Sequence, residues 1–244
     1  MNKKYRRILL KISGEFLMGN LSFGLDVKTV DRIAGEVRVA YENGCEICIV
    51  IGGGNIFRGV SAASYGMHRA AADNIGMLAT VMNSIAFQNS MEKIKVPSRV
   101  MSAIAMPTVC EPYVRRKALR HIEKHRVVIC AAGSGNPYFT TDTAAALRAL
   151  EIGCDVIMKA TKVPGIYTSD PEKDSNAQFM KKVTYRDVID KNIMVMDHTA
   201  ISLAKENAIP IIVFSLKEEG NLCNILSGSG HYSIMVPDNV GGGS

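Results

Sequence analysis

The sequence predicts an α/β fold around a mainly parallel sheet, on three observations. Short runs apolar on every side, such as Ile47-Cys48-Ile49-Val50-Ile51 and Val127-Val128-Ile129-Cys130, read as strands buried on both faces. Stretches of helical periodicity alternate with such runs, as in βαβ units. Glycine-bearing loops at 13–14, 52–54 and 133–135 follow the runs. On parallel strands these loops gather at one edge of the sheet, where open α/β sheets bind ligands.

Taken in order, 6–12 reads as a strand centred on Leu9-Leu10, and 20–25 as a loop. A helix is expected over 26–43, with Asp26 as N-cap and Gly44 just past its end. Val27, Val30, Ile33, Val37 and Ala40/Tyr41 share one face at helical spacing. The glycine strand follows at 46–51. A helical pattern covers 61–95, with Met67, Ala71, Met77, Leu78, Val81, Met82, Ile85 and Phe87 expected mostly in the core. Strands at 98–104 and 126–131 flank a helix at 111–126. A helix at 142–152, capped by Thr141 or Asp142, precedes a strand at 155–158, so that Lys159 and Lys162 follow a strand end. Residues 172–182 read as loop, 185–191 and 197–207 as helices, and 210–214 and 232–236 as closing strands. The chain is expected to be one domain over 1–240, with 241–244 a flexible tail.

The totals narrow the function. Apolar content of 47% and charged content of 21% suit a soluble globular protein, and no run of about 18 apolar residues suggests a membrane span. The basic start at 3–7 is followed by too short an apolar stretch for a signal peptide, which points to the cytoplasm. Cys45 and Cys48 form a C-x-x-C, but residues three apart on a strand face opposite ways, so the six cysteines read as reduced and buried. No protein-held metal site is visible. A net charge of +6 suits anionic ligands. Arg115, Arg116, Lys117, Arg120 and Lys124 form a basic helix face, but without interleaved aromatics it reads as a solvated face rather than a nucleic-acid surface.

The chemistry sits in the loops. A lone glycine after a strand reads as a tight turn. Gly52, Gly53 and Gly54 together, with Arg58 four residues on, expose backbone N–H groups and a planar cation to a phosphate. Lys11 at a strand end followed by Ser13-Gly14 is a weaker signal of the same kind, and it is not a Walker A loop. The 133–142 segment adds a helix N-terminus to a glycine loop. Its Asp142 is anionic and suits holding lysines near phosphates. Asp73, alone in an apolar stretch, is either solvated or an acceptor for sugar hydroxyls.

Together these segments resemble the amino acid kinase family, and within it the bacterial uridylate (UMP) kinases. The resemblance is carried by Leu9-Leu10-Lys11-Ile12-Ser13-Gly14-Glu15, Val50 through Gly59, Gly76 through Asn83, Gly133 through Asp142 and Lys159-Ala160-Thr161-Lys162-Val163. It runs from residue 6 to 236. It implies a three-layer α/β/α sandwich, usually hexameric, that transfers the ATP γ-phosphoryl to UMP with Mg²⁺ accompanying the ATP. It further implies activation by GTP through the loop at Phe23-Gly24, and inhibition by UTP.

By position, the resemblance implies that Lys11, Arg58, Asp142 and Lys159 serve catalysis, with Asp142 organising the lysine. Lys11, Ile12, Ser13, Gly14, Gly54 and Arg58 would meet ATP phosphates, and Thr161, Lys162, Tyr167 and Asp170 its adenosine. Gly53, Arg58 and Asp73 would meet UMP, Asp73 at the ribose. The loop Ser134, Gly135, Asn136, Pro137, Tyr138, Phe139, Thr140 and Thr141 would wrap it. Pro164 stands where the family usually has an acidic residue, and Ser134 where threonine is usual. Two rival readings are another phosphotransferase of the family, acting on a carboxylate or carbamate, and a non-catalytic nucleotide-binding storage or sensor protein.

Overall fold

Six consecutive residues in each of β1 (Arg7–Ile12) and β2 (Glu46–Ile51) are almost all buried, and the two strands pair in parallel. Between them runs α1 (Val27–Glu42), capped by the Asp26 side chain accepting from Thr29 N. This first βαβ unit lies at the centre of a nine-stranded sheet in the computed structural model, which describes residues 4–58 and 66–238. The remaining elements are α2 (Arg69–Lys93), β3 (Ser98–Ser102), β4 (Glu111–Pro112), α3 (Arg115–Glu123), β5 (Val127–Ala131), α4 (Thr141–Ile152), β6 (Val156–Thr161), β7 (Ile166–Tyr167) and β8 (Phe179–Met180). They continue with β9 (Lys182–Thr184), α5 (Tyr185–Asp190), α6 (His198–Glu206), β10 (Ile211–Ser215), α7 (Asn221–Leu226) and β11 (Ser233–Val236). The strand order is β4-β3-β5-β2-β1-β6-β10-β11-β9. All neighbours are parallel except β10 and β11, so β11 and β9 run against the rest. β7 and β8 form a separate antiparallel pair.

Alternation along the strands feeds two cores, one on each face of the sheet. Ile8, Leu10 and Ile12 pack with α1, α2 and α7 residues such as Ile33, Val81 and Leu222. Leu9 and Ile157 pack with α3 to α6 residues such as Ile122, Ala149, Tyr185 and Ile201. The result is the three-layer α/β/α arrangement. The same alternation puts Lys11 and Lys159 on the α4 face, two residues beyond Leu9 and Ile157.

The ends of β1 and β2 meet too closely for side chains. A Cβ on Gly14 would lie 2.5 Å from Gly52 O, and one on Gly53 would lie 2.7 Å from Gly76 O on α2. Two buried asparagines hold this turn. Asn83 on α2 donates to Gly52 O at 2.6 Å and exchanges amide hydrogen bonds with Asn55 at 2.6 and 2.9 Å. Asn55 also donates to Gly24 O at 2.9 Å.

Several expectations need correction. The helix expected over 61–95 begins at Arg69, after non-helical residues 66–68, and ends at Lys93; residues 61–65 lie outside the described residues, as do Gly59 and the tail at 241–244. Of its presumed core stripe, Met77, Val81 and Phe87 are buried, but Met67, Ala71, Leu78, Met82 and Ile85 are exposed. The physical reason is that α2 packs along one side only. Val27 is likewise exposed at the start of α1. The strand expected at 98–104 stops at Ser102. The 111–126 helix shrinks to Arg115–Glu123 because Glu111–Pro112 pair with β3 as β4. The strand expected at 155–158 runs on to Thr161, so Lys159 lies inside β6 rather than after it. Thr140, not Thr141 or Asp142, caps α4, accepting from Asp142 N and Thr143 N. The loop expected at 172–182 contains β8, and α7 was not anticipated.

Replacing Asn83 by alanine leaves Gly52 O and the Asn55 amide without their buried partner. Chemical denaturation is expected to show a loss of about 2–3 kcal/mol. A loss below about 0.5 kcal/mol, the range of surface changes, would mean that the asparagine pair does not hold the turn.

Candidate active site

Lys11 and Lys159 are direct partners across β1 and β6. Like charges placed so are mutually destabilising unless something stands between them. Asp142, in the first turn of α4, does so. Its Oδ1 lies 2.6 Å from Lys11 Nζ and its Oδ2 2.7 Å from Lys159 Nζ. The Oδ1 contact is an ion pair without an aligned hydrogen bond. Lys159 also donates to Val195 O at 2.6 Å. All three side chains are at most 14% exposed. Burial alone would push the Asp142 carboxyl up, but the two ammonium groups outweigh it and bring it down to about 2. Burial, with the nearby Lys11 charge, lowers Lys159 below the ordinary lysine range against the opposing pull of Asp142.

Two clefts flank this cluster. The larger, of about 620 Å³, is lined by Lys159, Thr161, Lys162, Tyr167, Asp170 and the 192–195 segment. The smaller, of about 130 Å³, is lined by Gly53, Gly54, Asp73, Thr80, Gly133, Phe139, Thr140 and Thr141. Lys159 borders the first, and Thr141, the residue before Asp142, borders the second. The cluster therefore stands where the two clefts converge.

The remaining expected residues fall around these spaces. Ile12 is buried at the end of β1, and Ser13 and Gly14 lead from it into a short 3₁₀ turn at Gly14–Met18. Arg58 is engaged by Glu15, with Nη2 2.5 Å from Oε1, and Lys162 Nζ lies 3.7 Å from the other Glu15 oxygen. Asp73 binds the Arg69 guanidinium at 2.8 and 2.9 Å and accepts from Tyr138 N at 2.8 Å. This joins α2 to the 134–141 loop. Ser134 Oγ accepts from Asn136 N, Gly135 has φ +83°, and Tyr138 and Phe139 are exposed. Pro137 connects this turn to them.

Sequence reasoning missed four participants. Glu15 bridges Arg58 and Lys162. Thr80 accepts from Ala132 N at 2.8 Å, behind the smaller cleft. Asp197 accepts from Thr140 and Thr143 hydroxyls while capping α6. Asn83 steadies the glycine turn. The available signal was polarity inside apolar helical faces at Thr80 and Asn83. Asp197 read only as a helix start. Elsewhere, Cys45 and Cys48 fall in opposite cores. Among the described residues no cluster of three or more His, Cys, Asp or Glu is placed to hold a metal.

The chain as a whole has counterparts in known proteins. The model of the amino acid kinase family matches residues 6–215. A uridylate kinase of Paramagnetospirillum magneticum is 57% identical over 235 residues, covering 96% of this chain and 98% of its own. A uridylate kinase of Rickettsia bellii is 54% identical over 234 residues, with 96% and 98% covered. The crystal structure of a UMP kinase from Bacillus anthracis superposes with a TM-score of 0.92 at 38% identity, covering 96% of this chain and 97% of that one.

The depressed Asp142 carboxyl makes a pH prediction. A carboxyl whose folded value lies below its unfolded one contributes stability that is full above the unfolded value and is lost as pH falls through the folded one. Stability is therefore expected to fall by roughly 2 kcal/mol from this group between about pH 4 and pH 2. Asp142→Asn should remove that component. At neutral pH it should destabilise by about 3–5 kcal/mol, because two buried ammonium groups lose their counter-charge. Denaturant titrations of both proteins across this range decide it: an unaltered acid profile in the variant would show that Asp142 is not so held.

Proposed function

The chain belongs to the amino acid kinase family, and on that premise we propose that it transfers the γ-phosphoryl group of Mg-ATP to UMP, giving UDP and ADP. The observation that carries the proposal is the Lys11–Asp142–Lys159 cluster set between a large and a small cleft. The large cleft suits ATP, with Thr161, Lys162, Tyr167 and Asp170 toward adenine and ribose. The small one suits UMP, with Asp73 toward its ribose and residues 134–141 around it.

A phosphate monoester oxygen is already anionic near neutral pH, so the acceptor needs no dedicated base. Catalysis then rests on alignment and charge neutralisation. In this proposal Lys11 and Lys159 face the transferring phosphoryl, held to spacing by Asp142. Backbone N–H groups of the glycine turn face the phosphates, and Arg58 leaves Glu15 to hold the UMP phosphate. Asp142 and Glu15, the carboxylates at the junction, are each already bound by two cations. That donor set fits a magnesium ion carried mainly by phosphate oxygens and water, which supplies further charge neutralisation.

The proposal includes a cytoplasmic homohexamer folded as one domain over 1–240. Among the described residues no helix is long and apolar enough to cross a membrane. Self-association is supported by Ile75, Leu78, Met82 and Ile85, which form an exposed apolar stripe at helical spacing along α2. Regulation by GTP and UTP is included on family resemblance. The loop at Phe23-Gly24 has a physical route to the site, since Gly24 N donates to Asn55 O at 2.9 Å.

The test is ADP formation from Mg-ATP with UMP, CMP, dTMP, AMP, acetylglutamate, aspartate and carbamate offered separately. Turnover with UMP is expected to predominate. Turnover with an amino acid or carbamate instead would overturn the acceptor half, and ATP binding without turnover on any acceptor would favour a storage or sensor role. Lys11→Ala is expected to lower turnover by about 10²–10³-fold, as removal of an electrostatic donor does. Near-normal turnover would remove Lys11 from the phosphoryl site.

A further inference from the structure

Arg148 is a buried cation with no place in the phosphoryl-transfer site. It lies on α4 and is only 5% exposed. It is seven residues after Thr141, two helical turns or about 10 Å along the axis, and it is not among the residues that line either cleft. Three groups surround its guanidinium. Nη1 lies 2.6 Å from Glu151 Oε2, the Tyr113 ring centroid lies 3.8 Å from its central carbon, and Nη2 donates to Gly133 O at 3.4 Å. The Tyr113 hydroxyl donates to the same Glu151 oxygen at 2.6 Å. Burial and the Glu151 carboxylate push the Tyr113 phenol up, so it remains a donor.

Gly133 lines the smaller cleft. It and Ala132 both have left-handed backbone, with φ +56° and +59°. A non-glycine residue stays there only where its surroundings over-determine it. Ala132 is held on one side, its N–H donating to Thr80 Oγ1. The carbonyl of the next residue is held on the other side by Arg148. A buried ion pair is a poor source of stability, since apolar replacements of similar volume are often neutral. Anchoring the fold therefore gives a weak account of this cluster, whereas holding one carbonyl in a strained loop gives a specific one.

We propose that Arg148, clamped by Glu151 and Tyr113, is a positioning residue that sets the shape of the acceptor-binding loop from behind, and so governs acceptor affinity without touching the acceptor. This rests on the assignment of the smaller cleft to UMP. With Arg148 in place the Gly133 carbonyl is engaged by the buried guanidinium, leaving the rest of the loop to the acceptor. Without it the carbonyl has no buried partner and the loop relaxes toward ordinary backbone.

The test uses the full chain with Arg148→Met, which keeps volume and removes the fork, and Tyr113→Phe, which removes one hydroxyl. Glu151 is partly exposed and can return to water. Steady-state kinetics with Mg-ATP and UMP varied separately should show the KM for UMP raised about tenfold in Arg148→Met, the size expected for one charge-assisted hydrogen bond. The KM for ATP and kcat should stay within about twofold. Tyr113→Phe should move the same constant in the same direction by about threefold, because it loosens the Glu151 side of the clamp while the Arg148 fork stays in place, and carries the kinetic test alone if Arg148→Met does not fold. An unchanged KM for UMP in a folded variant would overturn the proposal. So would a parallel loss in both KM values, kcat and Tm, which is the mark of packing alone. Amide hydrogen exchange separates this from the assignment of the cleft. Faster exchange confined to residues 132–136 in the variants supports the clamp even if the wild-type protein does not phosphorylate UMP, and unchanged exchange there overturns it.

Discussion

Two lysines facing each other across neighbouring parallel strands are the constraint on which the molecule turns. Lys11 and Lys159 share a register position on β1 and β6, with their side chains on the same buried face of the sheet. Such a pair survives only with a carboxylate between its members, and the carboxylate must come from a third element. α4 supplies it from its first turn, so the start of α4 has to lie over the ends of both central strands. Asp197 fixes that start by binding the Thr140 and Thr143 hydroxyls from α6. The placement of two helices thus follows from neutralising one charge pair.

The glycine turn meets a different demand, that of space. β1 and β2 end so close together that a Cβ on Gly14 would lie 2.5 Å from Gly52 O. A backbone so exposed needs partners of its own. The Asn55–Asn83 pair supplies one for Gly52 O from inside the protein, and the Gly52 N–H donates to Ile12 O at 2.9 Å. These hydrogen bonds make the turn rigid before anything binds, so little ordering entropy remains to be lost on binding.

Much of this was legible in the sequence because burial on both faces leaves a plain mark. Ile47 to Ile51 and Val127 to Cys130 could only be central strands, and Asp26 and Gly44 bounded α1 by their capping chemistry. What was missed lacked a periodic signal. β4, β7 and β8 have two residues each, too few to show alternation, and they exist because a neighbouring edge was available. β6 runs on through Lys159 because its charge is neutralised by a residue seventeen positions away, which nothing beside it in sequence shows. The α2 stripe is only partly core because helical spacing shows that apolar residues share a face and not which face is covered. At the site, glycine and lysine loops after strands were visible one by one. Partnerships such as Glu15 with Arg58 and Lys162, or Arg148 with Gly133, join segments distant in sequence and leave no local trace.

The ion pairs of the site divide by exposure, and the division suits phosphate chemistry. The Asp142 pairs are buried, and breaking a buried pair is costly enough that Lys11 and Lys159 stay fixed whether or not a ligand is present. The Glu15 pairs are open, with Arg58 57% and Lys162 49% exposed, and exposed pairs contribute only about 0–1 kcal/mol. A phosphate can therefore exchange for Glu15 at Arg58 and Lys162 at little expense. Displacing Asp142 would instead dismantle the centre. The protein keeps Lys11 and Lys159 rigid and Arg58 and Lys162 exchangeable, and the depth at which each carboxylate lies decides which is which.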